Sequence, residues 1–397
     1  MTGNRATISS GNTFTVAKGN NASATLDYSD SKINIGNGYI GGGEKAQTVL
    51  TLKDSALAAT GDVIMGQGQE TQTDLTLSPQ SSIKVSGNMS IAQGNAASAK
   101  VIVDNADLSA NSMSIGEGDT AAVTMTGNGA TISSGNTFTV ARGNNASATL
   151  DYSDSKINIG NGYIGGGEKA QTVLTLKDSA LAATGDVIMG QGQETQTDLT
   201  LSPQSSIKVS GNMSIAQGNA ASAKVIVDNA DLSANSMSIG EGDTAAVTMT
   251  GNGATISSGN TFTVARGNNA SATLDYSDSK INIGNGYIGV GEKSHTLLKL
   301  DNSTFHAAGN IDIGKGSSTI ANVSVGAGSN MSIKGNASIG VGDQAKAKFS
   351  VKDSVLNIGS SLVLGQGIVP KQKCLLSILS FIVAACCLGR LTMQLFL

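Results

Sequence analysis

Residues 33–52 read INIGNGYIGGGEKAQTVLTL. Gly36, Gly38 and Gly41 fit the G-x-G-x-x-G spacing of a dinucleotide loop, and Lys45 follows. That fingerprint needs a strand before the glycines, a helix after them and an acidic residue about 20 positions on. The residues after these glycines alternate instead, with Ala46, Thr48, Leu50 and Leu52 on one parity. Period-two alternation predicts a strand with one buried face, so no helix stands ready to receive a phosphate. The segment GNGYIG returns at Gly160 and Gly284, and neighbouring segments write it as GDVIMG and GNMSIA. The glycines are therefore part of a repeat.

Two periods are nested. Residues 1–124 recur as 125–248 with Arg5 changed to Gly129 and Lys18 to Arg142, and a third block, 249–367, is faithful to Gly289 and then drifts. Inside the blocks, glycines recur every 24, 25 or 26 residues: Gly19, Gly43, Gly68, Gly94, Gly118, Gly143, Gly167, Gly192, Gly218, Gly242, Gly267, Gly291, Gly316, Gly342 and Gly367. The residue two before each anchor is Ala or Gly throughout, including the drifted section at Gly314, Gly340 and Gly365. Before each anchor lies a short alternating strand, such as Val63-Ile64-Met65, whose middle residue is usually polar. After it comes a second strand lined by small and then large residues, as in Ala97, Ala99, Val101 and Val103. A turn rich in Asp, Asn and Ser leads to a third strand, such as Lys32-Ile33-Asn34-Ile35, and a Gly-Asn or Gly-Asp corner.

Three short strands in about 25 residues, repeated fifteen times, predict an all-β fold: a single-stranded parallel β-helix of about fifteen coils over 1–367. At a strand spacing of about 4.8 Å, that is a rod on the order of 70 Å long. A β-propeller or sandwich array is the runner-up, but it needs blades of about 40 residues or antiparallel hairpin signals. The anchor glycine is explained by a corner of positive φ or by close backbone approach, and the Ala/Gly position by an inward corner with room for no more than a methyl group.

Composition narrows the function. A net charge of −4 gives no basic surface for nucleic acid. Aromatic residues make up 3% of the chain, which suits narrow layers built from Ala, Val, Ile and Leu. Cys374, Cys386 and Cys387 are the only cysteines, so the body of the chain has no disulfide framework. No basic n-region and apolar h-region follow Met1.

The stacked G-x-G-x-x-A/T coils, the Ala/Thr/Asn/Ser richness, the cysteine-free body and the near-identical blocks resemble the passenger regions of bacterial autotransporters. The resemblance covers residues 1 to about 367. It implies a right-handed β-helix displayed at the cell surface, on the outer membrane or extracellularly, serving adhesion, aggregation or biofilm formation. Its implied partners are host-cell, matrix or neighbouring-cell surface molecules, together with self-association. The family plan adds a signal peptide and a membrane β-barrel, neither of which is read here. Met1 aligns with Met125 and Met249 in mid-coil, and residues 368–397, IVPKQKCLLSILSFIVAACCLGRLTMQLFL, break the repeat with a new composition. The expectation is a fragment of a longer exported protein, with the tail a frameshift remnant. The alternative is a membrane anchor over residues 374–389, an uncharged run of 16 residues against the roughly 17–25 of a typical span.

No catalytic, cofactor or metal site is read. His295 and His306 both lie in drifted coils and are expected to face solvent or sit in loops. The calcium nonapeptide is not matched, since Gly41-Gly42-Gly43-Glu44-Lys45 lacks its aspartate. A polysaccharide-cleaving β-helix enzyme is the remaining alternative. It needs a unique carboxylate cluster with Lys or Arg, whereas Asp54, Asp178 and Asp353 recur at equivalent turns, where carboxylates serve as turn formers. Lys18, Arg142 and Arg266 stand five coils apart and form no contiguous basic stripe, and Phe14, Phe138 and Phe262 are expected to pack inward.

Overall fold

The computed structural model describes residues 1–365 and the backbone of two short strands, Leu376–Ser377 and Ile382–Val383; Gly367 and the rest of the tail lie outside the described residues. Among the described residues every regular element is a β-strand, and every assigned strand pairing is parallel. The chain forms a parallel β-solenoid of about fifteen coils. It divides into two compact units, one holding Met1–Gln191 and Ser205–Ser210, the other Gly192–Gln204 and Gly211–Leu397. The division falls within the second 124-residue block rather than between blocks.

The coil after Gly43 shows the build. Strand Gln47–Lys53 turns at Asp54 into Ala56–Ala59, and Val63–Gln67 then leads to Gly68. The first of these strands joins one sheet, between Ser23–Ser29 and Gln72–Leu77, and the other two join a second sheet. Equivalent positions pair from coil to coil. In the first unit Leu26, Leu50, Leu75, Val101, Met125, Leu150 and Leu174 form one inward column. In the second unit Leu199, Val225, Met249, Leu274, Leu298, Val323 and Phe349 do the same. These columns are buried, and a register slip of one residue would turn every member outward. The apolar column thus fixes the register.

One corner differs from expectation. Gly36-Asn37 does not separate two strands, because Lys32–Gly42 runs through it as one. The same fusion occurs in Thr131–Arg142 and Lys156–Gly166, where the register shifts between the pairs Ser134↔Ile159 and Thr137↔Asn161. A bulge bends a strand without breaking its ladder, so the corner is turned inside the strand. The hydrogen bonds on both sides survive, with Gly61 N donating to Gly36 O at 2.8 Å and Gly38 N to Asp62 O at 2.8 Å.

At the sharper corner after the first-sheet strand, a column of buried serines closes the backbone accounts. Ser31 N donates to Ser55 Oγ at 3.0 Å, and the Ser55 hydroxyl donates to Lys53 O at 2.7 Å. Ser155 with Ser179, and Ser279 with Ser303, repeat this arrangement. Another inward column is left unsatisfied. The hydroxyls of Thr48, Thr73, Thr172, Thr197 and Thr296 are buried without a hydrogen-bond partner. Val123 and Val247 occupy the same place in their coils, with the valine methyl where the threonine oxygen sits. Thr73→Val therefore removes an orphaned hydroxyl at no cost in shape. It is expected to stabilise the first unit by about 1 kcal/mol, read as a higher urea midpoint; a lower midpoint would show that the hydroxyl has a hidden role.

Candidate functional site

The anchor glycines form a close-packed backbone column. A Cβ placed on Gly43, Gly68, Gly94, Gly118, Gly143 or Gly167 would overlap the carbonyl of the anchor one coil earlier. In the second unit the same holds at Gly218, Gly242, Gly267, Gly291, Gly316 and Gly342. Most of these residues also have φ between 123° and 157°, but Gly143 lies outside that region and is equally crowded. Close approach is thus the common requirement, with positive φ an addition at most coils. For Gly19 nothing lies within 4 Å of the built Cβ, and Gly367 is outside the described residues.

Two positions before the anchor the backbone is left-handed, at φ 50–53° for Ala17, Ala92, Ala141, Ala216 and Ala265 and 65–67° for Gly41, Gly66 and Gly165. A Cβ on Gly41 or Gly66 would overlap the hydroxyl of Thr48 or Thr73, seven residues on, and on Gly116 it would overlap a methyl of Val123. Where the early residue is Ala, the later one is always Ala: Ala24, Ala99, Ala148, Ala223 and Ala272. The corner holds at most one methyl-sized excess, supplied from one side or the other but not from both; Gly314 with Ala321 and Gly340 with Ala347 supply none. This refines the expected limit of one methyl group.

The outer faces carry the chemistry available to a partner. His295 points out from the first sheet and His306 from the second, so the structure does not bring the two histidines together. Among the described residues no group of three or more His, Cys, Asp or Glu could hold a metal ion. Asp54, Asp178 and Asp353 each occupy a left-handed turn at φ 49°. Phe138 and Phe262 are buried and Phe14 is half-buried. Burial without a hydrogen-bond partner holds the Tyr152 and Tyr276 phenols far above the ordinary tyrosine range, so both remain neutral packing groups.

A cluster not anticipated from the sequence lies on the strand before the anchor. Tyr39, Tyr163 and Tyr287 point outward from it, at the middle position that Ser90 and Ser114 hold elsewhere. Tyr39 is 39% exposed. The Arg266 guanidinium lies 6.0 Å from the Tyr287 ring centroid and 3.8 Å from a Glu241 carboxylate oxygen. In the first unit the register sets Glu117 beside Arg142, and Arg142 beside Gly166, three residues after Tyr163. Lys18 stands beside Gly42 in the same relation to Tyr39. The detectable signal was a large aromatic at a position otherwise given mainly to Ser, Thr or Ile.

In the second unit, the outer face of the first sheet carries a shallow depression of about 330 Å³ lined by Leu297, Asn322, Val323, Ser324, Lys348 and Ser350. Leu297 is 40% exposed, and the Ser350 hydroxyl lies 3.3 Å from that of Ser324. Lys299 pairs with Asp275 at 3.1 Å beside it.

No protein-family model matches the chain, and no solved structure matches it. Among the described residues no helix is long and apolar enough to cross a membrane, and the proposed anchor over residues 374–389 falls outside them apart from two short stretches of backbone.

Proposed function

We propose that the chain is a non-catalytic, surface-displayed structural and adhesive repeat protein, the passenger part of an autotransporter-type adhesin, which holds molecules on host cells, matrix or neighbouring cells. The observation behind this reading is the threefold return of an outward tyrosine, Tyr39, Tyr163 and Tyr287, each with a cation on the neighbouring strand, Lys18, Arg142 and Arg266, the last of which lies over the Tyr287 ring. Duplication that preserves an outward tyrosine and a cation on the neighbouring strand gives one chain several copies of the same weak contact. Linked weak contacts raise avidity by about 10²–10⁴-fold when they engage together. A single reaction centre gains nothing comparable from being copied.

Beads coated with the full chain test this by their retention on epithelial cells and on bacterial lawns. Tyr39→Ser/Tyr163→Ser/Tyr287→Ser places at each site the residue that already stands at Ser90 and Ser114, so the coil is expected to fold. Retention is expected to fall roughly tenfold or more, with far smaller losses for each single change. Wild-type beads that adhere no better than blank beads, or a triple variant that adheres fully, would remove the adhesive reading.

A further inference from the structure

The third block departs from the other two after Gly289, and on one face its changes share a direction. On the first sheet, Thr175 of the second block corresponds to Lys299, Asp198 to Asn322, Ser222 to Lys346 and Asp228 to Lys352, while Lys224 is kept as Lys348. Two exchanges run the other way, Lys177 to Asp301 and Asn229 to Asp353, the second in the turn directly after Lys352. With the first residue of each following turn, two lysines among three aspartates have become four lysines among two. Lys346, Lys348 and Lys352 are all exposed, and among the described residues none of them has an ion-pair partner. The same changes lie in and around the depression lined by Leu297, Asn322, Val323, Ser324, Lys348 and Ser350.

From this we infer that the outer face of the first sheet across the coils after Gly291, Gly316 and Gly342 is a binding site for an acidic polysaccharide. Lys346 and Lys348 stand two residues apart on one strand, about 7 Å, and at about 4.8 Å between strands the register sets Asn322 beside Lys348, and Ser324 between Ser350 and Lys299. This gives a lattice of donors rather than a single anion pocket, as suits a ligand that repeats its charge. The Asn322 amide and the two serine hydroxyls can exchange hydrogen bonds with sugar hydroxyls, and the exposed Leu297 side chain can cover a ring's C–H face. Single-stranded nucleic acid fits less well, because base binding relies on stacking platforms and no Tyr, Phe or Trp points outward on these three strands. The chain as a whole carries a net charge of −4, so attraction of a polyanion falls to this local surface. The inference goes beyond the adhesive reading, since it concerns soluble glycan and stands or falls without any cell being bound.

The test titrates the full chain with heparin as a sulfated probe, polygalacturonate as a carboxylated probe and dextran as a neutral control, at low and at physiological salt. Binding to at least one polyanion, weakened by salt, is expected, with none to dextran; the two acidic probes tell sulfate from uronate recognition. Asn322→Asp/Lys346→Ser/Lys352→Asp restores residues that fold at the equivalent positions of the second block, and should weaken binding at least tenfold. The converse variant, Asp198→Asn/Ser222→Lys/Asp228→Lys, should add a second site and double the stoichiometry. Failure of both polyanions to bind, undiminished binding by the first variant, or a single-stranded oligonucleotide that binds as tightly would overturn the assignment.

Discussion

Gly94→Ala is expected to abolish the folded state of the unit that contains it. The new methyl group would occupy the place of the Gly68 carbonyl, and that carbonyl is backbone of the neighbouring coil. Gly94 cannot move away from it. Its N–H donates to Glu117 O at 2.8 Å on the other side, and its own carbonyl accepts from Ala97 N at 3.2 Å. Its φ of 141° adds strain for any residue with a Cβ. Both the clash and the strain recur in no flexible side chain that could yield. The loss is expected to reach about 4–5 kcal/mol or more, the range reserved for severe backbone and core defects. That is comparable with the whole stability of many domains, about 5–15 kcal/mol. Asn95→Ala, one residue on, is the matched control: it removes only the exposed bond from Asp119 N to Asn95 Oδ1 at 3.1 Å and should cost about 0.5–1.5 kcal/mol. Urea unfolding followed by circular dichroism separates the two. A Gly94→Ala midpoint within error of wild type would mean that the anchor column tolerates a side chain.

Much of this architecture was legible before any coordinates. The 24–26-residue spacing, the alternation through Leu50 and Leu52 and the anchor glycines are local signals that every coil repeats. Repetition let each coil check the next, as when Leu50 and Val101 fall into one column. What escaped were features that depend on a neighbour. The bulge at Gly11-Asn12, which stand opposite the single residue Gly36, arises from the pairing of one coil with the next, and the residues of a single coil do not specify it. The strand position of Tyr39 follows from the alternation, but its place beside the strand that carries Lys18 depends on the pairing of two coils. The lysines of the third block carry no signal within a single coil, since their shared charge lies across three. Near-identity of the first two blocks hid the same point, since positions that never vary cannot show which partners they depend on.

The pairing two residues before the anchor supplies a dependence that can be measured. Gly66→Ala places a methyl group on the Thr73 hydroxyl, at a residue whose φ is 67°. Thr73 is β-branched, so turning its side chain trades the oxygen for a methyl group or drives one into the packed column beneath. The single change is expected to cost about 2–3 kcal/mol through overpacking and strain. Thr73→Ala alone opens a small cavity but also removes an orphaned hydroxyl, and should cost about 1 kcal/mol. Gly66→Ala/Thr73→Ala recreates the arrangement already present at Ala92 with Ala99 and at Ala141 with Ala148, where the backbone holds alanine at φ 53° and 50°. The double variant should therefore lie within about 1 kcal/mol of wild type, for a coupling energy of about 2 kcal/mol. Urea unfolding of the four proteins closes the cycle. Additive costs would mean that the chain's strict pairing of Ala with Ala reflects common descent of the coils and not the space at the corner. A large coupling makes the steric rule the cause, and marks the seven-residue link across the anchor as the contact through which each turn of the coil selects its own residues.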